Sequence, residues 1–154
     1  MEKLKTPVVP LVKIHYQSKV KPSERKQIRT AQDVYDIMLA EEEMAQNIDY
    51  KELAFAIYLN QSSKVLSVMK LAEGGITSTE VDIRIALQGA LLLNATSLIF
   101  IHNHPGGEVS PSPSDIQLTN NFKDAARLLN IRLVDHLIIS SENYFSFVQK
   151  GMLE

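Results

Sequence analysis

The sequence contains no cysteine. Disulfides, cysteine-rich zinc ribbons and cysteine-ligated zinc deaminases are therefore excluded, and any metal site must be built from His, Asp or Glu. An excess of charge is also lacking: 16 Lys and Arg stand against 18 Asp and Glu, a formal net charge of -2. No field of the whole protein draws it onto DNA or an anionic membrane, so nucleic-acid contact must be local. Long apolar runs are missing too. The most apolar stretch, Ala90 to Ile101, is interrupted by Asn94, Thr96 and Ser97 and falls short of the about 20 residues a bilayer span needs. The N-terminal MEKLKTPVVP has no apolar core of a signal peptide. A soluble, cytoplasmic protein with no membrane partner is the expectation.

What is present fits one globular domain. The 154 residues are 45% hydrophobic and 22% charged, close to the average for folded chains. Pro7 to Ser18, with two prolines in a loose alternation, reads as a peripheral extended arm or edge strand. Lys19 to Arg29 holds five basic residues and one acid, and Glu41, Glu42 and Glu43 follow with the opposite sign; both read first as solvated faces. Thr30 and Asp33 cap an expected amphipathic helix through Met44, with Val34, Ile37, Met38 and Leu39 at helical spacing. Leu53 to Leu59 and Lys64 to Leu71 read as a hairpin across Asn60-Gln61-Ser62-Ser63. Thr77 and Glu80 have capping-box spacing ahead of an apolar helix. A short strand, Ser97 to Ile101, leads into a Pro- and Gly-rich loop that cannot continue it. A helix over Asp115 to Leu129 follows, with Ile116, Phe122, Ala125, Leu128 and Leu129 as its candidate buried face, and two strands close the chain. The order predicts a mixed α/β (α+β) fold, one mixed sheet flanked by helices.

The chemistry concentrates in His102, His104, Ser112 and Asp115. Residues two apart on a strand face the same side, so His102 and His104 can aim both rings at one point if the strand continues through them. Asp115 opens the next helix and can bring a carboxylate to that point. Two His and one carboxylate, with a position left for water, form the ligand set of a catalytic zinc site. Read alone, His-x-His also fits surface polar residues, and Ser112 and Asp115 fit a helix cap. His-Glu-x-x-His is absent, which excludes zincin-type proteases, and no Walker loop occurs.

The run His102-Asn103-His104-Pro105 to Ser112-x-x-Asp115 resembles the JAMM signature of JAB/MPN metallopeptidase domains. HNHPGG, PSPSDIQLT, LLLNATSLIFI and LVDHLIIS are similar to its RadC subfamily. The resemblance spans residues 30–154 as a RadC-like domain, leaving 1–29 as arm and basic segment. It implies the JAB/MPN, cytidine-deaminase-like fold and a zinc-dependent peptidase or isopeptidase acting through an activated water. His102, His104 and Asp115 would hold one zinc per chain. Glu52 would be the general acid/base, and Ser112 would donate a hydrogen bond to the tetrahedral oxyanion. Glu80 competes with Glu52, but its capping-box position gives it a structural explanation. The sequence has Gly106 where RadC chains usually have Ser, a departure expected to alter loop detail only. His136 reads as a hydrogen-bonded packing residue.

Full-length RadC proteins carry a glycine-dependent helix-hairpin-helix, whereas this sequence has no glycine before Gly74. A stand-alone JAB domain of the kind carried by mobile elements is the expectation. The RadC label of DNA repair and the basic segment suggest an alternative, a DNA-associated accessory role. Lys19, Lys21, Arg25, Lys26 and Arg29 would supply its phosphate contacts, weak and salt-sensitive.

Overall fold

The polar residues Asn60 to Ser63 make the turn their composition predicts. Asn60 Oδ1 accepts from the backbone N–H groups of Ser62 and Lys64, both at 3.0 Å, and Ser63 takes a left-handed conformation, φ 57°. In the computed structural model, which describes residues 17–75 and 80–154, this turn joins β1 (Leu53–Leu59) to β2 (Val65–Glu73). The expected arm over 7–18 lies almost wholly outside the described residues. The remaining elements are α1 (Ala31–Ala40), α2 (Glu42–Asn47), α3 (Ile83–Leu92), β3 (Ser97–Asn103), α4 (Pro113–Leu128), β4 (Arg132–Ile139) and β5 (Tyr144–Ser146).

One five-stranded sheet runs in the order β2-β1-β3-β4-β5. Only β3 and β4 pair in parallel, and a parallel pair needs a crossover, which α4 supplies. Every residue of β1 and β3 is buried, as central strands covered on both faces should be. Alternation divides their side chains. Phe55, Ile57, Ile99 and Ile101 pack with Val34, Met38 and Met44 of α1 and α2. Ala54, Ala56, Tyr58, Leu98 and Phe100 face α3 and α4, where Ala86, Ala90 and Phe122 meet them. The result is the mixed α/β architecture the sequence predicts, consistent with the JAB/MPN fold.

Several local expectations are corrected. The helix expected from Thr30 through Met44 breaks at Glu41, whose backbone is extended (φ -72°, ψ 125°); its N–H closes α1 and its side chain caps α2 by accepting from Met44 N. The capping box at Thr77 and Glu80 does not start α3: the helix begins at Ile83, with the Asp82 carboxylate accepting from Arg84 N. Thr77 lies outside the described residues, and Glu80 stands exposed ahead of the helix. β3 runs two residues beyond Ile101. In α4 the buried face is Thr119, Phe122 and Ala126, a stripe at i, i+3 and i+7. Leu128 points away from it at 83% exposure, and Ile116 and Leu129 are also exposed.

Candidate metal centre

β3 continues through His102 because both neighbouring strands continue with it. Ala54 of β1 pairs with His102 on one side, and Asn103 pairs with Ile139 of β4 on the other. His104 N still donates to Ile139 O at 3.0 Å, so strand geometry persists across the His-x-His unit. Both rings therefore turn to the α4 side, and their Nε2 atoms stand 3.0 Å apart. His104 Nδ1 lies 2.7 Å from the carbonyl oxygen of Glu108. A carbonyl only accepts, so Nδ1 carries a proton and Nε2 is the atom turned to the cluster.

Asp115 arrives from α4. Pro113 at the first helical position and Ser112 at the N-cap start that helix, as their backbone preferences dictate. Asp115 Oδ2 accepts from Ser112 N at 2.7 Å and from Ser112 Oγ at 2.6 Å. Its Oδ1 lies 3.2 Å from His102 Nε2, and Oδ2 lies 3.7 Å from His104 Nε2. Burial raises the Asp115 pKa, but the neighbouring His102 and the hydrogen bonds from Ser112 outweigh it and hold the carboxyl below the usual carboxylate range. Ser112 and Asp115 thus form a cap and also bring a carboxylate to the histidines.

The ligand atoms of His102, His104 and Asp115 all lie within 4.8 Å of one another. Two nitrogens bound at zinc distances to a tetrahedral ion would stand about 3.3 Å apart, near the separations seen. Two nitrogen donors and one anionic oxygen, buried or half-buried, fit a divalent metal ion.

Glu52 is not among these three ligand residues. Its backbone extends the hairpin ladder, with N bonded to Gly75 O at 3.2 Å and O accepting from Gly74 N at 2.9 Å. Extending the β1–β3 register from Ala54–His102 sets Glu52 opposite His104, and alternation gives it the same face. Sequence reasoning missed what fixes this approach: Asn103, fully buried. Asn103 Oδ1 accepts from Leu53 N at 2.7 Å, and Nδ2 donates to Ile48 O and Lys51 O at 2.8 and 2.9 Å. Its only signal was its place between two histidines, which aims it at the opposite face. His136, fully buried, is hydrogen-bonded to His102 and stacked on Phe147, and burial pushes its pKa well below the ordinary range.

The basic segment lies elsewhere. Lys26 O and Ile28 N bond to Val65 and Ser63 beside the β1–β2 turn, the far end of β1 from Glu52. Seven strand residues separate the two ends by about 20 Å. Lys19, Lys21, Lys26 and Arg29 are exposed and Arg25 is half-buried. Among the described residues, no helix is long and apolar enough to cross a membrane.

The family model of the RadC-like JAB domain matches residues 28–152. A UPF0758 protein of Flavobacterium johnsoniae is 39% identical over 127 residues, covering 82% of this chain and 54% of the relative. One from Porphyromonas gingivalis is 44% identical over 104 residues, 67% of this chain and 46% of its own. UPF0758 protein YfjY of Escherichia coli is 38% identical over 103 residues, 67% and 64% of the two chains. The chain thus spans about half the length of the first two of these relatives.

Proposed function

Since the chain belongs to the RadC-like JAB domain family, we propose that it is a zinc-dependent hydrolase of the JAMM type, acting on a peptide or isopeptide bond. The observation that carries this reading is the convergence of His102, His104 and Asp115 ligand atoms within 4.8 Å. His102 Nε2, His104 Nε2 and an Asp115 oxygen would hold the ion. Zinc, when bound, polarises the scissile carbonyl and acidifies water at neutral pH. Glu52, opposite His104 in the extended register, takes the attacking water's proton on its carboxylate and returns it to the leaving amine. Ser112 donates to Asp115 Oδ2. Its hydroxyl serves the oxyanion by rotating from that carboxylate as negative charge develops on the substrate.

The test pairs metal content with turnover. The purified protein should contain one zinc, and His102→Ala, His104→Ala and Asp115→Ala should each lose it. Glu52→Gln should keep zinc and lose about 10²–10⁴-fold in cleavage of a peptide library. Full zinc in His104→Ala overturns the ligand set. Unchanged turnover in Glu52→Gln moves the acid/base role to Glu80, which stands exposed ahead of the N-cap of α3.

A further inference from the structure

His136 and Thr119 form a chain of short hydrogen bonds behind the metal centre. Thr119 Oγ1 lies 2.6 Å from the Asp115 carbonyl oxygen and 2.6 Å from His136 Nδ1. His136 Nε2 lies 2.9 Å from His102 Nδ1. We propose that this Thr119–His136 relay fixes the tautomer of His102, so that Nδ1 keeps a proton and Nε2 is left to the metal. His136 is then a positioning residue for the metal centre, an inference that rests on the proposed function.

The direction of the chain follows from donor counting. The Asp115 carbonyl can only accept, so the single Thr119 hydroxyl proton goes to it. If that proton pointed at His136 instead, two acceptor oxygens would face each other at 2.6 Å with nothing between them. Thr119 Oγ1 must therefore accept from His136, which places the His136 proton on Nδ1. A neutral ring carries one such proton, so His136 Nε2 is an acceptor and His102 Nδ1–H donates to it. The remaining atom of His102, Nε2, then turns its lone pair toward His104 Nε2 and Asp115 Oδ1, at 3.0 and 3.2 Å, where a metal ion would sit. Reversing the chain would leave His102 Nδ1 as the acceptor and put a proton on Nε2, aimed at the other ligands.

Packing holds the relay. The His136 ring is fully buried, stacked on Phe147 at 4.4 Å and 12° and tilted against Phe100 at 4.6 Å. It cannot turn over without displacing both. The chain also starts at the backbone of one ligand residue, Asp115, and ends on another, His102. It ties the first full turn of α4 to β4 and β3 from behind. An outer hydrogen bond that orients a metal-binding His is worth about 10–100-fold in metal affinity.

His136→Phe keeps a stacking ring and removes the acceptor. Thr119→Val removes the hydroxyl at nearly constant shape, and Thr119→Ser retains it. Two measurements decide: zinc affinity by chelator competition, and the His102 tautomer in the metal-free protein by long-range ¹H–¹⁵N NMR. Wild type and Thr119→Ser should show the Nδ1–H form and equal zinc affinity. His136→Phe should show mixed tautomers and about 10–100-fold weaker zinc binding, with Thr119→Val shifted the same way. An Nε2–H tautomer in wild type, or unchanged tautomer and affinity in folded His136→Phe, overturns the relay. If His136→Phe does not fold, Thr119→Val decides by the same two readouts. Wild-type protein that binds no zinc but shows the Nδ1–H tautomer, lost in Thr119→Val, would sink the hydrolase reading and leave the relay standing.

Discussion

Gly107 sets the shape of the loop that carries His104. Its N–H donates to His104 O at 3.0 Å, closing a turn with Pro105 in the second position, and its φ is +83°. A side chain in that conformation costs roughly 1–2 kcal/mol, so Gly107→Ala should lower stability by about that much in urea unfolding of the metal-free protein. Gly106, the residue that departs from the usual RadC pattern, has no positive φ, and a Cβ there would meet nothing within 4 Å. Gly106→Ser should leave the unfolding midpoint unchanged. The turn thus explains why the departure can be accommodated: the residue that must be glycine is the next one.

Among the elements, α3 carries a glycine pressed by its neighbours, Gly89. A Cβ built at Gly89 would stand 2.5 Å from the Tyr58 hydroxyl oxygen and 2.8 Å from its Cζ. The ring cannot retreat freely, because its hydroxyl donates to Ala86 O at 2.9 Å inside the core; burial pushes the Tyr58 pKa up to about 12. Glycine to alanine within a helix ordinarily adds up to about 1 kcal/mol. Gly89→Ala should instead destabilise by about 1–3 kcal/mol through overpacking, measured by chemical denaturation. That conflict is invisible in a sequence, where Gly89 looks like a weak point of a helix. Other elements were legible for physical reasons that act locally: the Asn60 side chain folds its own turn, and Ser112 caps α4 by accepting from Asp115 N three residues on. The break at Glu41 was not, since glutamate is a poor cap by preference and serves here through one bond to Met44 N. The strand's reach through His102 was hidden as well. Bonds from β1 and β4, distant in the chain, hold two polar residues in the sheet beyond the point where apolar pattern ends. Leu128 misled because it is apolar, although the face of α4 that meets the sheet is set by Thr119, Phe122 and Ala126.

Across the whole molecule, charges join α2, the entry to β1 and the edge strand β2. Glu73 pairs with Lys51 and Lys70, and Lys70 also pairs with Glu43. Hydrogen bonds from Lys51 and Lys70 pull the Glu73 pKa from 4.5 down to about 2. A depressed folded pKa contributes stability above the unfolded value that is lost as pH falls through the folded one. The urea midpoint should therefore drop as pH falls from about 5 to 2, and Glu73→Gln should make that drop shallower. The effect should shrink in high salt, because the pairs are solvent-accessible. The placement of the candidate centre has a different consequence, in the order of assembly. His102, His104 and Asp115 lie within one stretch of 14 residues, whereas Glu52 is 50 residues before His102. Each doubling of a closed loop costs about 0.6 kcal/mol of chain entropy, so two doublings set these closures about 1.2 kcal/mol apart. The short closures that bring the three ligand residues near one another therefore cost less than the long one that brings in the Glu52 carboxylate. On the proposed function, metal capture and competence to cleave would then be separate events during folding.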